Sequence, residues 1–460
     1  MSAARGARDR LGNGLRVALL ALLAAAPLAF GAVHQAAWIP LLAAAYLLGA
    51  LCWLRARSGG RARTEPLPGG RLLLALHGLV LFQLVPLPPR LLALLSPGTF
   101  AHHDDNLALP LSAWKPVSVS PPDTLRGLLF LAGMTCLYAA AFREFRAQRW
   151  RRRLGGTLVA VAFVMTIVAL VQAAAGTTRI YGLFQPQWDW AVFGPYVNRN
   201  HFAGYLVMAL PLALAFAAEA LERLREDWRR RRVGWLALGE AAGNAAVRRT
   251  AEAMVLMVGL LASRSRGGLM AFAVSAASFP LAFRRRGRQA LLAIVLVTLL
   301  GTAWVGVAGL VRDFEHRGLR SSRVQLWTDV LRLAPRFALL GAGLNSFGML
   351  YPFHQTLWRG EWYGEVHNEY LQALIDLGVP GLLLTLVLVA RLLGAALRAA
   401  PRSALDAGLL GSVIAACSHA LVDFNWQIPA NAATFVALAG LVMGGGTERG
   451  SDLTSAGPAA

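Results

Sequence analysis

The segment REFRAQRWRRRLGGTLVAVAFVMTIVALVQAAAG, residues 143–176, decides the fold class of this chain. Its first part carries six arginines, and its second part, residues 154–175, contains no charged side chain. A helix that crosses the hydrocarbon core of a bilayer, about 30 Å thick, needs about 20 mainly apolar residues. The second part therefore predicts a transmembrane helix, and the arginines before it predict a cytoplasmic helix end.

The composition of the whole chain points to the same class. The 460 residues are 56% hydrophobic and 15% charged, whereas soluble domains carry about 25% charged residues. This excludes a single soluble domain, and the apolar content excludes a disordered chain. The net charge of +21 does not favour nucleic-acid binding, because the basic residues alternate with apolar runs instead of gathering on a soluble module. The three cysteines form neither a zinc pattern nor a disulfide framework.

Further apolar runs predict an all-α polytopic membrane protein with about twelve transmembrane helices and one large periplasmic loop. The runs cover residues 16–33, 37–54, 71–87, 125–142, 154–175, 201–219, 250–263, 267–283, 289–311, 370–393, 405–422 and 429–445. They divide the chain into four regions. These regions are helices 1–5 (1–176), helices 6–9 (177–311), the large loop (312–369), and helices 10–12 with the C-terminal tail (370–460).

Arginine clusters occupy alternate loops, which places those loops in the cytoplasm. The clusters lie at residues 55–71, 143–153, 223–232, 284–288 and 391–402. An even number of spans puts both termini in the cytoplasm, where the arginines also contact anionic lipid headgroups. The first run is predicted to be a retained helix and not a cleaved signal peptide, because a second span follows at once. The loops between the clusters, including 264–266 and 312–369, then lie on the opposite face.

The hairpin ASRSRGG, residues 262–268, places Arg264 and Arg266 on that opposite face. Gly267 and Gly268 are expected to allow the tight reversal of the chain. Two interpretations stay open at this point. The arginines extend to the lipid headgroups, as arginine commonly does, or they form a planar cationic site for a phosphate group.

The large loop carries a second set of candidates. Ser321 and Ser322 predict the start of a helix that runs to about Pro335, with its apolar stripe on the membrane surface and Arg323 along the interface. Arg320 precedes this helix and is a candidate substrate-binding residue. A solvated surface charge is the alternative for Arg323. The segment GAGLNSF, residues 341–347, predicts a glycine-rich turn into another short helix, and it is not a nucleotide-binding loop.

The segment EVHNEYLQALIDLGVPG, residues 365–381, enters the next span with His367 and Asn368. A histidine at this position, close to carboxylates, is a candidate general base, and a helix cap facing water is the alternative. The segment YVNRNHFAGYL, residues 196–206, starts another span and offers candidate ligands for a sugar or phosphate. These are Asn198, Arg199, Asn200 and His201, which could equally cap the helix.

Other polar residues suggest less. The run His102-His103-Asp104-Asp105 is a weak metal candidate, because contiguous ligands seldom converge on one ion. Asp123, His419 and Asp423 are isolated in the sequence and receive no role. The chain contains no serine-triad motif, Walker loop or H-E-x-x-H motif.

Together these segments resemble the O-antigen ligase and polymerase family of bacterial membrane glycosyltransferases. The matching segments are NRNHFAGYL (198–206), SRSRGG (263–268), RVQLWTDVL (323–331), GAGLNSF (341–347), HNEYLQALIDLG (367–378) and DFNWQIPANAATF (423–435). They follow the family order from about residue 180 to 440, around one large loop. The first five predicted spans are generic in sequence.

The resemblance implies an enzyme of the bacterial inner membrane that works on the periplasmic face without a metal, a nucleotide or another cofactor. Its donor is then a glycan on undecaprenyl pyrophosphate, and its acceptor is lipid A-core or another glycan. Arg266, Arg323 and His367 match the family's hairpin arginine, helix arginine and histidine, which implies catalytic roles. The arginines stabilise the leaving pyrophosphate, and His367 takes the proton of the attacking hydroxyl. Arg264 is an additional charge outside the family pattern.

Two other functions fit parts of the sequence. A polymerase that joins repeat units carries the same motifs and differs from a ligase only in its acceptor. A non-enzymatic transporter or flippase of lipid-linked sugars is less favoured, because transporters keep ionisable groups at the bilayer midplane and often contain repeats. Here the unexplained charges gather at one face beside the large loop, and the chain shows no internal repeat.

Overall fold

A computed structural model describes residues 2–58, 65–106, 114–186, 193–231, 241–278, 322–356 and 362–445. Within these ranges most of the chain is helical. In chain order the α-helices are α1 (Ser2–Leu28), α2 (Gln35–Ser58), α3 (Gly70–Gln83), α4 (Pro89–Leu95), α5 (Pro97–Asn106), α6 (Pro121–Glu144), α7 (Gln148–Ala174), α8 (Arg199–Arg231), α9 (Ala241–Ala262), α10 (Arg266–Ala276), α11 (Ser322–Leu333), α12 (Phe347–Leu350), α13 (Glu369–Ala399), α14 (Ala404–His419) and α15 (Pro429–Gly444). The strands β1 (Pro86–Leu87) and β2 (Lys115–Pro116) pair antiparallel.

The helices agree with the predicted all-α membrane fold. In the described part of the chain, six helices are long and apolar enough to cross a membrane, and α3, α14 and α15 are shorter apolar helices. Helices occupy eleven of the twelve predicted spans. The remaining span, residues 289–311, lies outside the described residues, so the number of twelve stays a prediction. The segment between the third and fourth predicted spans, residues 88–124, contains the short helices α4 and α5 and the strand β2.

Ion pairs bring the arginine-rich helix ends together at one end of the helix bundle, which we call the arginine end. Glu144, the last residue of α6, pairs with Arg16 of α1 at 3.2 Å and with Arg55 of α2 at 2.5 Å. Arg151 of α7 pairs with Asp406 of α14 at 2.5 Å, and both side chains are buried. Four helix ends, those of α2, α6, α7 and α14, therefore lie there together with the middle of α1.

A second set of helix ends lies at the opposite end of the bundle, which we call the site end. The helix α14 runs from Asp406 at the arginine end to His419, about 20 Å away at 1.5 Å per residue. The backbone N–H of Glu369, the first residue of α13, donates to the carbonyl of Ala420 at 2.8 Å. The start of α13 and the end of α14 are thus fastened together at the site end.

The large loop forms a small apolar core of its own above α13. Leu326 and Val330 of α11 are fully buried with Phe337, Phe347 and Val366. The prediction that the apolar stripe of α11 rests on the membrane surface is therefore wrong for Val330, because this side chain packs inside the protein. Val324 and Leu331 of the same helix remain exposed. The predicted turn at 341–347 and the short helix after it are confirmed.

A break in α13 lets this loop core approach the bundle. Gly378 has a φ of 70° inside the helix, a left-handed conformation that glycine adopts without a steric penalty. A Cβ atom on Gly378 would lie 2.7 Å from the carbonyl oxygen of Ala338, and the N–H of Val379 donates to that oxygen at 2.7 Å. The close contact fixes the loop core against the first part of α13, where His367 and Asn368 stand.

Candidate active site

The residues 419–425, between α14 and α15, form the centre of the candidate site, and we call them the site turn. Asp423 of this turn is 1% exposed. Its Oδ1 atom lies 3.3 Å from Nδ1 of His367 and 4.0 Å from Nε2 of His201. The turn therefore brings together one carboxylate and two histidines that are distant in the sequence.

The surroundings of Asp423 favour its charged form. Burial alone raises the pKa of this carboxyl, because it removes the solvent that stabilises the charge. The hydrogen bond with His367 and the nearby histidines and Arg323 outweigh the effect of burial and hold the pKa below its ordinary value. Asp423 thus orients a proton on Nδ1 of His367, which leaves Nε2 as the nitrogen that can accept a proton.

His367 is held in place through hydrogen bonds of the preceding residue, Val366. The N–H of Val366 donates to Oε1 of Gln372 at 2.7 Å, and its carbonyl accepts from Nε1 of Trp327 at 2.9 Å. His367 itself has a φ of 55°, which is uncommon for a residue with a side chain and often occurs at functional sites. The His367 side chain is 21% exposed, so a substrate can reach it.

The ring of Phe424 fixes the two histidines. Its centroid lies 4.7 Å from the imidazole of His201 and 4.7 Å from that of His367, both edge to face. His201 is 4% exposed. His201 is therefore a buried neighbour of the Asp423 carboxylate, and His367 is the histidine of this pair that solvent and substrate can reach.

Arg323 is joined to the site turn by a direct hydrogen bond. Its Nη1 donates to the carbonyl of Val422 at 2.6 Å. The helix α11 that carries Arg323 is also anchored beside His367, through the bond from Trp327 to Val366. The structure thus brings Arg323 and His367 together, although 43 residues separate them in the chain.

The hairpin of Arg266 packs against the same turn. Ser265 caps α10 by accepting a hydrogen bond from the N–H of Gly268 at 3.3 Å. A Cβ atom on Gly267 would lie 2.8 Å from Cγ2 of Val422 and 3.1 Å from Nε2 of His419. The expected role of the glycines in the reversal is wrong, because both lie in the first turn of α10. They allow close packing instead.

Arg264 makes the reversal of this hairpin. It lies between α9 and α10 with a φ of 53°, and its side chain is exposed. Arg266, at the first position of α10, is half-buried. The hairpin therefore offers one arginine near the site turn and one at the surface beside it.

The remaining candidate residues within the described ranges lie at the starts of α8 and α13. Oδ1 of Asn198 accepts from the N–H of Asn200 at 2.8 Å at the start of α8, and Arg199 and Asn200 are half-buried. Oδ1 of Asn368 accepts from the N–H groups of Tyr370 and Leu371, so Asn368 caps α13. Arg320 lies outside the described residues.

A buried amide network supports the site turn from below. The hydroxyl of Tyr196 donates to Oδ1 of Asn431 at 2.8 Å, and Nδ2 of Asn431 donates to Oδ1 of Asn425 at 2.7 Å. Nδ2 of Asn425 lies 2.8 Å from Nδ1 of His419. All four side chains are buried. Such a network holds a loop in one conformation.

Sequence reasoning missed Asp423 and His419, which were given no role because no other candidate stands near them in the sequence. The signal was present, since Asp423 opens the segment DFNWQIPANAATF that resembles the family. By contrast, His102 and His103 lie on α5, where His102 packs on the ring of Phe353. Within the described residues no group of histidines, cysteines and carboxylates could hold a metal ion.

A family comparison bears on these residues. A model of the O-antigen ligase family matches residues 253–386. This segment contains Arg266, Arg323 and His367, whereas Asp423 lies beyond it. No curated protein matches the chain significantly. The match confirms the resemblance to O-antigen ligases that the motifs indicated. Together with the long apolar helices, it indicates a membrane protein with a ligase- or polymerase-like function in polysaccharide assembly.

Proposed function

We propose that this chain transfers a glycan from an undecaprenyl-pyrophosphate carrier to a sugar hydroxyl of lipid A-core or another glycan. The single observation that carries the proposal is the convergence on the site turn. His367 contacts the buried carboxylate of Asp423, Arg323 donates to Val422, and the Arg266 hairpin packs on Val422. In this proposal His367 is the base for the acceptor hydroxyl, and Arg266 and Arg323 are the cations for the pyrophosphate.

The reaction is a displacement at the anomeric carbon. The acceptor hydroxyl oxygen forms a bond to that carbon while the bond from carbon to the pyrophosphate oxygen breaks. Nε2 of His367 takes the hydroxyl proton, and Asp423 stabilises the resulting imidazolium. The pyrophosphate leaves with the bonding electron pair, and the configuration at the anomeric carbon is inverted.

Arg266 and Arg323 stabilise the negative charge that develops on the leaving pyrophosphate. Arginine suits this task because its planar guanidinium binds two phosphate oxygens at once and stays protonated at every physiological pH. The bond from Arg323 to the Val422 carbonyl fixes the direction of its guanidinium before the substrate binds, and such fixed charges are effective in catalysis. In this proposal the two arginines supply the positive charge, and the reaction uses no metal ion.

The positions of the two bundle ends support a periplasmic reaction. The candidate site lies at the site end, whereas Arg55 and Arg151, from two of the predicted cytoplasmic clusters, lie at the arginine end. By the positive-inside rule the arginine end faces the cytoplasm, so we propose a multi-pass protein of the inner membrane with both termini in the cytoplasm. No ATP is available on the other face, and the donor's own pyrophosphate provides the leaving group.

The other candidate residues fit supporting roles. Arg199 and Arg264, near the starts of α8 and α10, extend the cationic surface for the glycan carrier. His201 positions the Asp423 carboxylate from its buried side. Asn198, Asn200 and Asn368 shape the helix starts, and Arg320 stays a predicted substrate contact.

The test is reconstitution of the purified protein into liposomes with a lipid-linked oligosaccharide and candidate acceptors. A ligase yields one glycan per acceptor and releases the free carrier pyrophosphate. A polymerase yields a ladder of longer carrier-linked glycans, which would replace the ligase assignment by the other member of the family. Movement of intact donor across the bilayer without carrier release would refute both and favour a transporter.

A further inference from the structure

A cavity of about 580 Å³ lies beside the site turn. Phe424, whose ring contacts His367, forms part of its wall. Most of the wall is apolar and comes from α2, α3, α6, α13 and α15 and the turn before α2. Its apolar side chains include Trp38, Leu73, Phe130, Leu388, Val389 and Phe435. The volume lies within the range of about 300–1,000 Å³ that small-molecule sites occupy.

One end of this cavity carries carboxyl groups. Glu365, Glu369 and Asp376 line it together with Asn345 and Gln372. The protein satisfies some of their oxygens: Oδ2 of Asp376 accepts from Gln372 Nε2 and from the N–H of Asn345, each at 2.9 Å. Oε1 of Glu369 accepts from the N–H of Trp426 at 2.6 Å.

Two carboxyl oxygens of this end are buried without a hydrogen-bond partner among the described residues. They are Oδ1 of Asp376, whose residue is 1% exposed, and Oε2 of Glu365. A buried oxygen without a partner is costly, and in native proteins such atoms call for an explanation. Both residues line the cavity, so a ligand with hydrogen-bond donors would satisfy them there.

The chemistry of the cavity wall distinguishes the two substrates of a glycosyl transfer. A cavity end lined by three buried carboxyl groups supplies no positive counter-charge to a pyrophosphate, whereas sugar hydroxyls form hydrogen bonds with carboxyl groups. Neither Arg266 nor Arg323 lines the cavity. Arg126 is the one arginine on the described wall, and it pairs with Asp123 at 3.0 Å with its side chain 62% exposed. The pyrophosphate of the donor is therefore assigned to the side of the site turn that contacts Arg323 and the Arg266 hairpin.

We propose that this cavity binds the acceptor, as a saccharide attached to a lipid. The sugar hydroxyls contact Glu365 and Asp376, and the lipid portion occupies the apolar part between α3, α6, α13 and α15. His367 stands two residues from Glu365 and contacts the ring of Phe424, so an acceptor hydroxyl at the carboxyl end lies next to the base. This inference rests on the proposed glycosyl transfer and adds the location of its acceptor.

The test separates the acceptor from the donor by their KM values in the reconstituted full-length protein. Glu365→Ala removes a carboxyl that binds the sugar, and we expect the acceptor KM to rise about tenfold or more while the donor KM stays unchanged. Val389→Phe fills the apolar part, and it raises the KM of a lipid-linked acceptor but not that of the same saccharide without its lipid. Leu386→Phe is the matched control, because this side chain is 41% exposed on the same helix and does not line the cavity.

Thermal unfolding in detergent shows whether Glu365→Ala folds, and Val389→Phe keeps the test valid if it does not. Acceptor KM values within twofold of wild type in both variants overturn the inference. A rise of the donor KM instead also overturns it, since the cavity then holds the carrier lipid. If Val389→Phe raises the KM of the lipid-free acceptor by the same factor, the proposed binding of the lipid portion in the cavity is overturned. The glycosyl transfer itself fails only if no glycan reaches any acceptor in the wild-type protein.

Discussion

Substitution of Asp423 by Asn isolates the effect of one buried charge on the proposed base. The side chain keeps its shape, so Asn fits the same space beside Phe424 and the site turn. The hydrogen bond of 3.3 Å between Oδ1 and Nδ1 of His367 loses its charged acceptor. The imidazolium that forms during proton transfer then has no counter-charge, although the ring stays in place.

The size of the effect follows from this contact. Hydrogen bonds to charged groups contribute about 1.5–3 kcal/mol, and each 1.36 kcal/mol changes a rate tenfold. The range corresponds to a loss of about 10-fold to 150-fold in kcat. Because 3.3 Å is long for a charge-assisted bond, we expect the lower part, about 10-fold to 50-fold. The donor KM stays unchanged, since Asp423 does not bind the pyrophosphate.

The assay is a steady-state measurement of carrier release with saturating acceptor in proteoliposomes. Asp104→Asn is the matched control, because Asp104 is exposed on α5 and outside the site; it should transfer at the wild-type rate. A D423N protein with a kcat within twofold of wild type would refute the role of the carboxylate. A loss confined to the donor KM would equally refute it.

Three further predictions follow from other contacts. Arg323→Lys should raise the donor KM about tenfold, because lysine cannot keep the bond to the Val422 carbonyl and also bind two phosphate oxygens. Arg332→Lys, at a side chain 64% exposed on the same helix, is the control and should leave the donor KM unchanged. A donor KM of Arg323→Lys equal to that of wild type would contradict this role. Gly267→Ala should lower the free energy of unfolding by about 1–3 kcal/mol, because its Cβ atom would lie 2.8 Å from the Val422 side chain. Gly156→Ala is the control, since a Cβ atom there meets nothing within 4 Å. Equal unfolding temperatures of the two variants would disprove the close packing of Gly267. The folded pKa of Asp423 is lowered, so the stabilisation from its own ionisation is lost only as the pH falls through the folded pKa. The difference in unfolding temperature between wild type and Asp423→Asn should therefore not change between pH 8 and 9, which lies above the ordinary histidine pKa of about 6.5.

Hydropathy alone located the helices, because a bilayer demands long apolar segments wherever the chain crosses it. The boundaries of α7, Gln148–Ala174, lie within a turn or two of the predicted run. The hydropathy pattern gave a wrong prediction where an apolar side chain packs against protein instead of lipid. Val330 of α11 has the spacing of a surface helix, but it packs in the loop core with Phe337 and Phe347. The sequence contains no local signal that distinguishes these two partners for one apolar stripe.

The candidate site was partly visible in the sequence. Arg266, Arg323 and His367 stood out as charged or titratable groups at a membrane face, which the chemistry of the bilayer makes costly without a function. Asp423 could not be found in this way, because it lies 56 residues from His367 in the sequence. The two residues meet only because the start of α13 is hydrogen-bonded to the end of α14. The carboxyl end of the cavity is a product of the same tertiary contact.

The transfer rate of His367→Ala tests the central claim most directly. General-base catalysis contributes about 10²–10⁴-fold to a rate, so a single-turnover measurement with saturating donor and acceptor should show a loss of at least about 100-fold. His77→Ala, a histidine of α3 that contacts the carbonyl of Leu73, should react like wild type. A His367→Ala protein that folds, binds donor and transfers glycan at the wild-type rate would contradict the account.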